Sequence, residues 1–246
     1  MSKSRHLPVA PTTHRELAAG AGIDAHRHDD NQILYAATGV LSVTTDAGRW
    51  LAPATRALWV PAGVTHEHRA YGRIELHLVG LPLQHNPLRL TSPAVLAVGP
   101  LLRELIIAYT ASLVDTPERR RLLAVLLDQL RRSPQEPLRL PSPRDPRLAA
   151  VCQALFADPA EDRTLGELGA RAGASERTLS RLCREELGMS FPQWRTQLRL
   201  QHAVILLAEE VPVTVVAHRC GWATASAFID VFRRHFGHTP GQRRSR

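Results

Sequence analysis

Between about residues 20 and 81 the apolar positions come in short β-type runs separated by turn residues, a pattern that predicts a meander or barrel of short strands. Gln32 to Ala36 and Val40 to Thr44 flank Thr38-Gly39, Asp46-Ala47-Gly48 leads into Arg49-Trp50-Leu51, and Ala57 to Val60 stops at Pro61. From Arg73 to Val79 the alternation is strict. Ile74, Leu76 and Leu78 fall on one face and Arg73, Glu75 and His77 on the other, which predicts a half-buried strand. After Pro100 the period changes. Leu101, Leu102, Leu105 and Ile106 recur at helical spacing, as do Leu122, Leu123, Leu126, Leu127 and Leu130, so two amphipathic helices are predicted within about 95–131. Their apolar stripes serve either packing within the chain or a dimer seam. The segment from Ser133 to Pro146 holds prolines at 134, 137, 141, 143 and 146 and predicts an extended linker at a domain boundary. Beyond it the pattern is helical.

A chain of 246 residues has room for one or two domains. With 44% hydrophobic and 22% charged residues it is globular in composition, which excludes collagen-like and largely disordered classes. No apolar stretch approaches the roughly 18 residues of a membrane span. The first 11 residues lack the apolar region of a secretory leader, so a cytoplasmic location is expected. Cys152, Cys183 and Cys220 are odd in number, far apart and without CxxC spacing, the usage of free buried thiols. The net charge of +8 favours an acidic partner such as nucleic acid, but charge alone names none.

The first chemical constellation is built from histidines. His26 and His28, then Gln32, are spaced two and four apart, so in one extended strand all three would share a face. His66 follows the Pro61-Ala62-Gly63 turn, and His68 is two residues further on. Three imidazoles and an amide oxygen converging on one mouth suit iron(II), nickel, zinc or manganese, all of which accept neutral imidazole nitrogen. The candidate metal set is therefore His26, His28, Gln32 and His66, with Trp59 and His68 as candidate walls of an effector pocket; in a regular strand His68 shares the face of His66 and is also a candidate further ligand. The alternative is a set of histidines that line an organic-ligand pocket or satisfy polar groups inside the fold. Together these two elements resemble the signature motifs of the cupin barrel over roughly residues 20–80. Gln32 stands where the motif usually has glutamate, Thr55 where it has glycine and Ala70 where it has asparagine. A neutral Gln32 makes any metal binding more histidine-dominated.

The second constellation is helical. Thr164 and Glu167 form a capping-box pattern, Leu165, Leu168 and Ala172 follow at helical spacing, Gly173 interrupts, and Ser175 can cap a second helix with Leu179 and Leu182 inward. That arrangement leaves Glu176, Arg177, Ser180, Arg181 and Arg184 facing outward, able to reach base edges and phosphates in a major groove. The pattern returns 48 residues later. Val213, Val216 and Ala217, the Gly221 turn, a Thr224 cap, and inward Phe228 and Phe232 make a second unit. Residues 191–210 between them read as one long amphipathic helix, a rigid connector that would place two recognition helices about 34 Å apart along one face of DNA.

Residues 147–246 resemble the DNA-binding domain of the AraC/XylS family of bacterial transcription regulators. Ala217, Gly221-Trp222, Phe228, Phe232-Arg233-Arg234, Phe236-Gly237 and Thr239-Pro240 stand in the order of its signature. The resemblance implies first-unit base contacts from Arg177, Ser180 and Arg181, and second-unit contacts from Ala225, Ser226, Ile229 and Asp230. Those second-unit residues are poor purine readers, so the first unit is expected to supply most base recognition while Arg233, Arg234, Arg243 and Arg244 anchor phosphates. Asp230 either accepts from a cytosine amine or pairs with Arg233 or Arg234.

The joint expectation is an α+β chain of two domains. Residues 1–132 form a cupin-like β-barrel (about 20–81) with dimerisation helices, 133–146 a linker, and 147–246 an all-α double helix-turn-helix domain. The expected function is a promoter-binding regulator controlled by a metal or small-molecule effector, acting as a homodimer and contacting RNA polymerase if it activates. The alternative expectation is a cupin oxygenase or isomerase fused to a DNA-binding tail.

Overall fold

The alternating runs fold as β1 (Arg5–Leu7), β2 (Thr13–Leu17), β3 (Gly22–His28), β4 (Asn31–Ala36), β5 (Val40–Thr45), β6 (Gly48–Pro53), β7 (Arg56–Val60), β8 (His66–Tyr71), β9 (Ile74–Leu81) and β10 (Ala94–Ala97). These coordinates are a computed structural model that describes residues 4–136 and 139–241. The chain divides into two units, Met1–Arg139 and Leu140–Arg246.

In the first unit one sheet orders its strands β1-β3-β8-β5-β6 and the other β11-β10-β7-β4-β9-β2, where β11 is Gln135–Glu136. The sheets face each other as a sandwich. Leu41, Val43, Trp50 and Ala70 from the first sheet meet Leu34, Leu58, Ile74, Leu76 and Leu78 from the second, all buried. The β-structure extends beyond the expected limits of 20–81, because β1 and β2 precede that range and β10 follows it.

The second sheet is covered on both faces. Ile33, Tyr35, Trp59, Val79 and Leu81 alternate with the inward residues and pack against Leu102, Leu105, Ile106, Tyr109, Leu126 and Leu130. Those side chains come from α1 (Pro100–Ala111) and α2 (Pro117–Arg132), the latter capped by Thr116, whose side chain accepts from the Arg119 N–H. This corrects the expectation that β9 is half-buried. His77 lies beneath α1 with 2% of its surface exposed, and its Nδ1 is 2.7 Å from Thr110 Oγ1. A polar residue on that face signals a buried hydrogen bond here, not solvent.

Part of the expected linker is built into the two units: β11 pairs with β10, and Leu140 is buried in the core of the second unit. Pro137 lies outside the described residues.

The second unit contains α3 (Pro146–Ala157), α4 (Leu165–Arg171), α5 (Glu176–Leu182), α6 (Phe191–Ala208), α7 (Val213–Arg219) and α8 (Ala225–Phe236). Its chain reversals follow the caps. Thr164 accepts from the Glu167 N–H while Glu167 accepts from the Thr164 N–H, Ser175 accepts from Thr178, and Thr224 from Ala227. The close approach of α4 and α5 rests on Gly169, where a Cβ would stand 2.5 Å from the Ala174 carbonyl oxygen and 2.9 Å from Leu179 Cδ1. Trp194 and Leu198 from α6 join Leu148, Leu155, Leu168 and Leu179 in one core. Cys152, Cys183 and Cys220 are buried free thiols; burial pushes Cys152 upward, Cys183 to about 11 and Cys220 to about 12. Among the described residues no helix is long and apolar enough to cross a membrane.

Candidate functional site

The histidine site lies on two neighbouring antiparallel strands. His26 of β3 pairs in register with His66 of β8, and an irregularity between Ile23 and His26 brings His68 opposite Ile23. Alternation then directs His26, His28, His66 and His68 to the buried side. The ring centroids of His26 and His66 are 4.4 Å apart, those of His66 and His68 5.0 Å, and those of His26 and His68 5.3 Å. Ligand nitrogens of His26, His66 and His68 lie within 4.8 Å of one another.

The ring tautomers follow from the hydrogen bonds. A carbonyl oxygen can only accept, so His26 Nδ1–H donates to Asp24 O at 2.8 Å and His66 Nδ1–H to Val64 O at 2.9 Å. In a neutral ring this leaves Nε2 with a free lone pair, and a carbonyl that accepts from Nδ1–H in this way also fixes the ring plane of a metal ligand. His66 Nε2 and both nitrogens of His68 are buried with no hydrogen-bond partner. Burial keeps all three rings neutral: it lowers His26, takes His66 down to about 3, and holds His68 well below the ordinary histidine value. Buried neutral imidazoles with unpartnered nitrogens form an uncharged donor set of borderline softness, and this cluster can hold a metal ion.

The expected set and the folded set overlap without coinciding. His28 and Gln32 do not share a strand, because the chain turns at Asp29 and Asp30 and enters the other sheet. Gln32 still meets His28 across the fold, with Oε1 3.1 Å from Nε2, while its amide Nε2 donates to Pro11 O at 3.3 Å. His28 Nδ1–H donates to Asp30 O at 2.7 Å. Gln32 therefore lies against His28 beside the trio. His68, expected as a pocket wall or as a further ligand on the face of His66, belongs to the cluster itself. Trp59 is not in this pocket: it faces the opposite side of its sheet, fully buried beneath the helices, with Nε1 unpartnered. The period of two that put Trp59 and Val60 on opposite faces was the available signal.

In the second unit α5 turns Leu179 and Leu182 inward and leaves Glu176, Arg177 and Arg181 exposed, with Ser180 half-buried. Arg184 is exposed in the wide helical turn Cys183–Leu187 that follows. Arg181 Nη1 donates to Glu185 Oε2 at 2.6 Å, so its guanidinium is held along the helix surface. In α8 Phe228 and Phe232 point inward, Ser226, Asp230, Arg233 and Arg234 are exposed, and Ala225 and Ile229 are half-buried. Asp230 pairs with Arg233 at 3.2 Å, and its main-chain oxygen accepts from Arg234 Nε at 3.3 Å. Arg243 and Arg244 lie outside the described residues.

Residues 10–139 match the AraC-like ligand binding domain, and residues 168–246 match a helix-turn-helix domain. The chain belongs to the AraC family of transcription regulators. It is 34% identical over 247 residues to the HTH-type transcriptional regulator NimR of Escherichia coli (strain K12), covering 94% of this chain and 89% of that protein. It is 42% identical over 101 residues to the HTH-type transcriptional regulator RipA of Corynebacterium glutamicum, covering 41% of this chain and 30% of that one. Among solved structures, the DNA-binding domain of AdpA in complex with a target DNA is 35% identical, with a TM-score of 0.37 over 39% of this chain and 86% of that one. The helix-turn-helix half binds DNA, and the sandwich is the ligand-binding half. These relatives are transcription regulators, which sets aside the enzyme alternative.

Proposed function

We propose that the chain is a metal-responsive regulator in which a divalent transition metal, held by His26, His66 and His68 with His28 beside them, shifts how the DNA-binding half engages its promoter. The observation that carries this reading is the set of unpartnered, buried, neutral ring nitrogens. Such groups cost about 1–3 kcal/mol each when left unsatisfied, and a bound cation would turn that cost into binding. An all-neutral donor set favours zinc, nickel or iron(II) over magnesium or calcium, which need oxygen ligands. A regulator responds only if the ligand has different affinities for two arrangements of the chain.

Promoter contact falls to Arg177, Ser180 and Arg181 for bases, and to Arg184, Arg233 and Arg234 for phosphate. Ala225, Ser226, Ile229 and Asp230 contribute fit more than hydrogen bonding. A homodimer through the outer faces of α1 and α2 and the segment between them is supported by the exposed Leu101 on α1, Val125 on α2, and Leu113 and Val114 in the connection. Two linked DNA-binding halves raise affinity without new contacts. If the regulator activates, RNA polymerase is a further partner.

The test is elemental mass spectrometry on full-length protein purified anaerobically without a metal-affinity tag or chelator. Near-stoichiometric metal, lost in His66→Ala, is the expected result. Metal-free protein whose promoter response survives His66→Ala would overturn the metal reading. It would leave the sandwich as an organic-ligand pocket.

A further inference from the structure

Arg199 is a half-buried cation in the middle of α6 that belongs to neither recognition helix. Its guanidinium makes hydrogen bonds in two directions. Nε donates to Pro159 O at 2.9 Å and Nη2 to Glu161 O at 3.0 Å, with Ala160 O at 3.5 Å; these carbonyls lie in the loop that leads into α4. On the other side Nη1 donates to Gly221 O at 3.0 Å, in the turn between α7 and α8. One side chain thus ties the entrance of the first helix-turn-helix unit to the turn of the second. The fit is close. Gly221 has φ +75°, and a Cβ there would stand 2.6 Å from Arg199 Nη2 and 3.0 Å from Ala160 Cα. Arg195, one turn earlier on α6, also donates to the Arg163 carbonyl, so the loop side of the tie is doubled, while Arg199 alone of the two reaches Gly221.

We propose that Arg199 is a positioning residue that fixes the second recognition helix relative to the first, so that both engage one duplex without a search. Rigid linkage gives the second contact a high effective concentration, and a loosened joint lowers it without changing either contact surface. The planar five-donor fork is what spans both sides at once. A lysine keeps the charge but cannot hold divergent acceptors in fixed geometry. The proposal rests on the reading that both units touch DNA.

The test uses full-length protein and a duplex selected by the wild-type chain from a randomised pool, alongside the same duplex shortened to remove the stretch covered by the second unit. Arg199→Lys should weaken binding to the long duplex on the order of tenfold and leave binding to the short one within about twofold. Gly221→Ala, which crowds the same joint from the opposite side and retains the guanidinium, should show the same selective loss. An equal loss on both duplexes, or no loss on either, overturns the assignment, because a purely structural role affects both alike. Wild-type protein that binds both duplexes equally would remove the two-unit premise instead, and is read out before any variant is made.

Discussion

Replacing His68 by leucine tests the histidine site through stability as well as ligand uptake. His68 is 4% exposed, and neither ring nitrogen has a partner in the folded chain. At about 1–3 kcal/mol for each unsatisfied buried group, the imidazole costs the metal-free fold roughly 2–6 kcal/mol relative to an apolar side chain that fits. Imperfect packing of the branched leucine returns about 1–3 kcal/mol of that. The net expectation for His68→Leu is a gain of about 1–3 kcal/mol, or roughly 3–10 °C in melting temperature for a unit of this size. The assay is thermal unfolding of chelator-treated protein followed by titration with zinc. Wild type should gain about 4.1 kcal/mol at a zinc concentration roughly 1,000 times its Kd, and the variant should gain far less, so the order of stabilities reverses when metal is present. A metal-free variant that melts no higher than wild type would refute the claim that the folded site pays a penalty for its unpartnered nitrogens.

Acidification should destabilise the metal-free first unit: His66 and His68 have folded values held down by burial, His66 to about 3. Unfolded imidazoles take up protons near pH 6.5 while the folded ones do not, so stability is full above that pH and is lost as pH falls below it. The slope is up to about 1.4 kcal/mol per pH unit for each group, and a melting temperature that stays flat from pH 7.5 to 5 would contradict it. Arg181→Ala should cost about 1–3 kcal/mol at the selected site and relax discrimination at one base pair, measured by competition against single-base variants; a uniform loss across sequences would make Arg181 a phosphate contact. Arg234→Ala should do the opposite, weakening all sequences alike and reducing the salt slope by about 1. Thr224→Ala removes the cap of α8 and should lower stability by about 1 kcal/mol in chemical denaturation; a change of promoter preference with no loss of stability would count against a capping role.

The helical half was the more legible in sequence because its signals are local. Thr164 with Glu167, Ser175 and Thr224 announced helix starts that the caps confirm, and Leu179, Leu182, Phe228 and Phe232 were placed inward by spacing alone. The sandwich was less so. Its strands between residues 31 and 60 lay close to their expected limits, but β1 and β2 are short edge strands and β10 a short strand between β11 and β7, and the pairing of all three is decided by distant partners. His26 and His66 were visible as candidates from spacing. His68 was legible as a further ligand through its alternation with His66; that His28 stands beside the trio with Gln32 against it from another sheet depends on the turn at Asp29 and Asp30 and on the register of β3 against β8. Arg199 gave no motif at all, since its partners are main-chain carbonyls as far as 40 residues away.

The three native thiols carry a practical consequence. All are buried and protonated far above neutral pH, so maleimide reagents at pH 7 should pass them by. A cysteine placed at exposed Ser112 at the end of α1 and another at exposed Gln153 in α3 would then take fluorophores in an otherwise native chain. Energy transfer between the two dyes would report, in real time, whether an added metal changes the distance between sensing and DNA-binding halves.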